Sequence, residues 1–448
     1  MTFAGSSCRR GPALPVLAWA LLTAAVLVTA RPASAPAAEC WFDTSIAFGA
    51  GSFPEAFYPH ASARADLDGD GWRDYAVSNH WASAALSVLF HDKAGGYLPP
   101  VLLPIGASSN GVAAADFTGD DLPDLLASNT GPNHQGLTVA LLRNLGEGAF
   151  APHQDFPAVL GPAAIATGDF DGDGFIDAAV AGYGPAGEGA RIAILINAAG
   201  DGFLAPQTIT VGPAPSDVAV GDLNGDQRPD VVVAREDFRL VVLMNEGGGR
   251  FAPPVEYVTQ EQPWSGDVYA NVALADVDHD LDLDVFCSSN RTQIDADYGA
   301  VCLFRNRGDG QLVDRSNVAL PRYLGGAFDL ALADVTGDSW IDLLTAHGGN
   351  GGWVVTPSLG GGEFGAGREY AGGNTPMRIA AEDVDGDGDL DALVLNRYSL
   401  TLGVHRNAGD GRFVEPDGRD LEPLCGWMDA GDIDGDLDLD VVSSYAYA

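Results

Sequence analysis

The chain has 448 residues, with 62 Asp and Glu against 23 Lys and Arg (net charge −39), and 46% of its residues are hydrophobic. That apolar content argues against an acidic disordered chain, and 58 Gly with 27 Pro argue against an all-helical one. The basic residues form no cluster and include a single lysine, Lys93, which speaks against nucleic acid as a partner; the carboxylate excess calls instead for metal cations.

Residues 1–38 read as a signal peptide: Arg9-Arg10, an apolar stretch from Val16 to Ala30, and small residues up to Ala38. Gly11-Pro12 after the arginines favours general secretion over twin-arginine export, and Glu39 before Cys40 speaks against a lipid anchor. No later stretch reaches the roughly 20 apolar residues of a membrane span. The expected product is a secreted protein, extracellular or periplasmic, starting near Glu39 without a membrane span.

From there an acidic nonapeptide recurs eight times, 49 to 58 residues apart. Its positions 1, 3, 5 and 9 are Asp66, Asp68, Asp70 and Asp74 in the first copy, and Asp116, Thr118, Asp120 and Asp124 in the second. The third carries Asp169, Asp171, Asp173 and Asp177, and the fourth Asp222, Asn224, Asp226 and Asp230. Asp276, Asp278, Asp280 and Asp284 follow, then Asp334, Thr336, Asp338 and Asp342. The last two copies hold Asp383, Asp385, Asp387 and Asp391, and Asp432, Asp434, Asp436 and Asp440.

Short apolar alternations flank each copy, as in Val218-Ala219-Val220 and Val231-Val232-Val233, which reads as strand, loop, strand. A third apolar run leads into a glycine-rich turn and an aromatic, as in Asn197 to Phe203 and Asn245 to Phe251, where a hairpin needs positive φ. Four short strands, A to D, per repeat of about 52 residues predict an all-β protein, a single β-propeller spanning 39–448. Eight blades fit the length better than seven. The segment Phe48 to Phe53 resembles a C–D turn, so the N-terminal strands are expected to complete a last blade whose A and B strands come from the C-terminus, closing the ring.

Carboxylates at positions 1, 3, 5 and 9 of a tight turn converge hard oxygens on one point, which suits calcium. Up to eight ions are expected. The glycines at position 6, Gly71, Gly174 and Gly388, mark the most favourable loops, whereas Thr118, Thr336 and Asn224 offer neutral oxygens. His279 at position 4, and Asp121, Gln227, Leu281, Ser339 and Leu437 at position 6, depart from the glycine pattern.

With its D-x-D-G-D-G-x-x-D loop and following N-x-G-x-G-x-F turn, the chain resembles the FG-GAP or VCBS repeats of integrin α-chain propellers and many secreted bacterial proteins. The resemblance implies a propeller with calcium in the A–B loops of one face. Binding and adhesion modules predominate in that family, and some rhamnogalacturonan lyases use related propellers. The two functional readings are therefore a module binding an extracellular protein or glycan, and a calcium-dependent polysaccharide lyase.

Ligands are expected on the opposite face, built from the B–C and D–A connections, which carry His80, Trp81, Trp264, Arg291, Tyr298 and His347, with His134, Tyr183 and Arg235 elsewhere on it. The alternative for the tryptophans is packing between blades. No nucleophile elbow, HExxH zinc motif or phosphate loop is present, and no residue is singled out as catalytic. Of the exported cysteines, Cys287 and Cys302 lie on consecutive apolar runs and suit a cross-strand bond, leaving Cys40 to pair with Cys425; four free thiols are the alternative.

Overall fold

A computed structural model describes residues 58–71, 74–80, 85–90, 98, 101–183, 190–259, 270–289, 301–321, 326–347, 352–373, 376–382, 387–396, 401–413, 419–420, 425–431 and 440–445. Their regular structure is strand throughout, apart from one 3-10 turn at Pro132–His134. Each of the first seven repeats forms a four-stranded antiparallel sheet in the order A, B, C, D. In the fourth repeat these strands are Pro215–Gly221, Asp230–Arg235, Arg239–Leu243 and Val255–Val258. The eighth contributes two described strands, Cys425–Gly431 and Asp440–Tyr445. Among the described residues no helix is long and apolar enough to cross a membrane.

Successive sheets pack face to face, and the two-residue period of a strand explains how. Val231 and Val233 of the fourth B strand join a core with Ala179 and Ala181 of the third sheet. Their neighbours Val232 and Ala234 point the other way, into a core with Val272, Val285, Cys287, Cys302 and Phe304 of the fifth. A strand buried on both faces must be apolar at every position, hence runs such as Val231-Val232-Val233-Ala234 rather than an alternation. D strands, by contrast, are mostly exposed.

The aromatic that closes most C–D turns packs against the core. Phe203 meets Phe117 and Phe156 edge to face, with centroids 5.6 and 5.3 Å apart, and Phe413 meets Trp353 at 5.0 Å. Turn and sheet are thereby locked together, which places the A–B loops of repeats two to seven beside the C–D turns of their own repeats.

Candidate metal centres

In each described nonapeptide the aspartates organise the loop before any cation is considered. Asp66 Oδ1 accepts the N–H groups of Gly69 and Asp70 at 2.7 and 3.0 Å, and Oδ2 that of Gly71 at 2.9 Å. Asp116 repeats the pattern with Gly119, Asp120 and Asp121, and Asp334 with Gly337, Asp338 and Ser339. Position 5 caps position 7: Asp120, Asp173, Asp226, Asp280, Asp338 and Asp387 each accept that backbone N–H at 2.8 to 3.0 Å. These bonds wind the loop around a common centre.

The loop path does not depend on glycine. At position 6, Gly71 and Gly174 have φ of 94° and 91°; Asp121, Gln227, Leu281 and Ser339 hold 67°, 65°, 76° and 73°. His279 at position 4 has φ 62°, near the 71° to 81° of the glycines at that place in the other described loops. A left-handed conformation costs an L-residue about 1–2 kcal/mol, yet the sequence departures leave the geometry intact. At Gly119 the glycine is needed for a second reason: a Cβ there would lie 2.7 Å from the ring of Phe175, position 7 of the next loop. In loop five His279 meets the corresponding Trp340 differently, stacking on it with centroids 4.0 Å apart and planes 11° from parallel.

Among the described residues, three loops bring ligand atoms of three carboxylates within 4.8 Å of one another: Asp66, Asp68 and Asp70; Asp169, Asp171 and Asp177; and Asp276, Asp278 and Asp280. Loop five thus assembles the same kind of group as loops one and three despite His279 and Leu281. Burial is the main cause that lifts the carboxyls of Asp68, Asp171 and Asp278 above the ordinary range, with the charges of neighbouring loop aspartates adding to it. A hard divalent cation would relieve that repulsion. Thr118 Oγ1, Thr336 Oγ1 and Asp276 Oδ1 are buried oxygens that make no hydrogen bond of normal geometry; both threonine hydroxyls still lie close enough to steady the charge of Asp124 and Asp342. Buried oxygens in this position are the donor set calcium prefers.

Position 9 serves a different purpose. Asp124, Asp177, Asp230, Asp284 and Asp342 are wholly buried. Oδ2 accepts the N–H of position 2, as in Phe170 to Asp177 at 2.8 Å, and Oδ1 accepts the first N–H of the C–D turn, as in Asn197 to Asp177 at 2.7 Å. The same two bonds recur at Asp124, Asp230, Asp284 and Asp342. Predicted as a ligand, this aspartate is first a bracket between loop and turn; within the carboxylate groups above, Asp177 alone represents it. Burial pushes Asp177, Asp230 and Asp284 up to about 6 even though the backbone N–H groups pull the other way.

The asparagine that opens the C–D turn does more than turn the chain. Asn197 Nδ2 donates to Ile176 O of its own repeat at 3.0 Å and to Phe117 O, position 2 of the preceding loop, at 2.8 Å. Asn144, Asn245, Asn306 and Asn407 make the equivalent bonds to Leu67, Phe170, Leu223 and Val335. In the sixth repeat Ser358 takes this place, and Gly362 N–H reaches Val277 O instead, at 3.2 Å. The recurrence of Asn before five of the glycine turns, at 144, 197, 245, 306 and 407, was the sequence signal for this clamp.

On the opposite ends of the sheets, His347 closes a B strand as expected, but its ring is buried and hydrogen-bonded to Thr345 Oγ1 at 2.8 Å, so it is not offered to solvent. Arg235 is likewise buried and committed to Asp237, Glu256 and Val211 O. His134 and Tyr183 do come together across neighbouring repeats, with ring centroids 4.9 Å apart. His80, Cys425 and Asp440 are described only as backbone within strands. Trp81, Trp264, Arg291, Tyr298, Cys40, Asp383, Asp385, Asp432, Asp434, Asp436, Leu437 and the signal-peptide segment lie outside the described residues.

Sheets built from one repeated unit, each offering an aspartate loop at the same end, define a repeat protein of the β-propeller type. The FG-GAP-like repeat profile matches residues 66–127, 122–180, 222–287, 293–345, 334–394 and 383–443. The chain belongs to the FG-GAP-like repeat family. The comparison with curated proteins found no match. Among solved structures the chain is similar to Saccharomyces cerevisiae Sqt1, with a TM-score of 0.58 and 10% identity over 87% of this chain and 95% of that one. A candidate 6-phosphogluconolactonase of Bacteroides fragilis gives 0.52 and 11%, covering 83% and 98%. At such identities the likeness concerns the fold alone.

Proposed function

We propose that the protein is a secreted, calcium-stabilised propeller of eight blades that works as a binding or adhesion module for an extracellular protein or glycan. Closure of the ring is supported by packing of the strand Cys425–Gly431 against both the first strand, Tyr58–Ala65, and the seventh A strand, Pro376–Glu382. The observation that carries the calcium reading is the common backbone path of the loops, kept even where His279, Leu281 or Ser339 must adopt positive φ. Calcium would be held by positions 1, 3 and 5 together with the position 9 carboxylate, as the grouping of Asp169, Asp171 and Asp177 supports, with Thr118, Thr336 and Asn224 giving neutral oxygens. Bound to the folded state alone, it stabilises by mass action and stiffens one rim, leaving the B–C connections on the other rim free to differ.

Native mass spectrometry of the mature protein with graded calcium tests the first half: several ions and a higher melting temperature are expected, and no metal with no shift would refute it. Glycan and extracellular-protein arrays in calcium test the second half. A specific partner is expected; turnover of an acidic polysaccharide to unsaturated uronate products, with no partner bound, would replace the module by a lyase.

A further inference from the structure

In the fifth sheet, strand B (Asp284–Ser289) pairs with strand C (Val301–Asn306) so that Cys287 stands directly opposite Cys302. Both are free thiols in the structure. Their side chains are buried, 5% and 4% exposed, in the core shared with Val232 and Val242 of the fourth sheet. The two sulfurs lie within hydrogen-bonding reach of each other. Directly opposite residues of an antiparallel pair have Cα atoms about 4.5 or 5.5 Å apart, and both spacings fall inside the roughly 4.4–6.8 Å that a disulfide spans.

We infer that Cys287 and Cys302 are a disulfide site whose bond ties the two central strands of the fifth sheet at the base of their B–C connection. Its formation balances as thiol–disulfide exchange with an external disulfide, either a protein oxidant or glutathione disulfide. One thiolate attacks that disulfide and forms a mixed disulfide; the second cysteine displaces the remaining thiol. The two cysteines give up two protons and two electrons, and the external disulfide becomes two thiols.

A reactive cysteine is the competing reading, and the surroundings argue against it. The facing Cys302 thiol, then burial, then the negative charge of Asp217 drive the Cys287 thiol well above its usual range. Thiolate is therefore scarce once the sheet is packed. The bond forms while the strands are assembling, and afterwards it is shielded from reductant. It closes the segment between Cys287 and Cys302, where the sequence carries Arg291 and Tyr298, and holds the two ends of that connection at fixed separation.

Peptide mapping of the mature protein, secreted or refolded with glutathione disulfide, is the test. After denaturation in guanidinium with N-ethylmaleimide and no reductant, Cys287 and Cys302 should carry no label and appear in one linked peptide, about 2 Da lighter than its reduced parts. Dithiothreitol should leave that link intact in the native protein and open it when guanidinium is added. The C287V/C302V variant should lack the link and melt about 3 °C or more below the oxidised protein. Maleimide on both cysteines, or linkage of either one to Cys40 or Cys425, would overturn the assignment, and this reading of the wild-type map holds whether or not the variant folds.

Discussion

Replacing Asn197 by Ala tests the clamp between neighbouring repeats. The substitution deletes the Nδ2 donor to Phe117 O and Ile176 O and the Oδ1 acceptor for Gly200 N–H. It leaves the backbone bond from Asn197 to Asp177 in place, so the loop's own bracket survives. Each buried hydrogen bond contributes about 1 kcal/mol net, and a buried carbonyl left without a donor costs somewhat more, giving about 2–4 kcal/mol in all. With an unfolding entropy of about 2 cal/mol/K per residue, a domain of about 400 residues should lose roughly 2–5 °C in melting temperature. Ser358→Ala is the internal control, because Ser358 supplies only a 3.2 Å bond to Gly360 N–H and clamps no neighbouring loop; its melting temperature should fall by less than about 1 °C. Differential scanning calorimetry in saturating calcium reads both. Equal shifts in the two variants would refute the assignment of the asparagine as an inter-repeat clamp.

Calcium stabilisation should weaken with acid. The folded, metal-free carboxyls of Asp177, Asp230 and Asp284 sit at about 6, above their unfolded value of 3.8, so their protonated form contributes stability that is fully present below the unfolded value and lost as pH rises through about 6. Metal-free protein is therefore favoured by acid relative to the calcium form, which needs the charged carboxylates. The calcium-induced rise in melting temperature should be larger at pH 7.5 than at pH 5, and an equal rise at both would count against the loops as calcium sites. His405 has the opposite sign: its buried ring, accepting the Trp353 indole N–H at 3.1 Å, is lowered to about 4 by burial. Its stabilising contribution, about 3 kcal/mol, is present above the unfolded value of 6.5 and lost as pH falls through about 4; urea melts of His405→Gln should show a flatter acid limb than wild type, and an unchanged limb would clear His405 of the effect. Leu281, 89% exposed at φ 76°, has no packing to lose, so Leu281→Gly should stabilise by up to about 1 kcal/mol. A destabilised variant in the same denaturant titration would mean that the leucine makes contacts in solution.

The repeat, the strand order and the aspartate loops were legible in the sequence because they are local: a nonapeptide spells its own turn, and apolar runs on either side spell two strands. The bracketing role of position 9 was not legible, because its partners, the N–H groups of position 2 and of the C–D turn, come into reach only when the hairpin folds back. Distance along the chain hid the asparagine clamp in the same way, since Asn197 and Phe117 are 80 residues apart. His347 and Arg235 were read as surface residues from their place at strand ends. Their burial depends on Thr345 and on Asp237 and Glu256, and residue type alone carries no mark of that. The positive φ of Leu281 and Ser339 also escaped a reading based on glycine, because loop hydrogen bonds to position 1 enforce the conformation on whatever residue is present.

Taken together, these contacts make each loop a joint between two repeats. The peptide group at position 2 gives its N–H to the position 9 carboxylate of its own repeat, and the carbonyl of the same residue accepts from the asparagine of the next, as at Phe170. Positions 1, 3 and 5 close around the centre directly beside that residue. A cation that fixes those carboxylates therefore fixes the residue on which the next sheet is hung. Cation binding at these carboxylates would thereby be coupled to sheet-to-sheet docking, and Asp177 belongs to both the carboxylate group and the bracket. The seam between the fifth and sixth repeats is the exception in kind: Ser358 replaces the asparagine, and Arg305 crosses instead to Gly361 O and Glu363. At this seam the loop is joined to the neighbouring turn by an exposed ion pair, the bond to Gly361 O and one backbone bond, all weaker than a buried two-bond clamp, so the contact between the fifth and sixth sheets leans more on Asn271 donating to Phe328 O and on their shared apolar core.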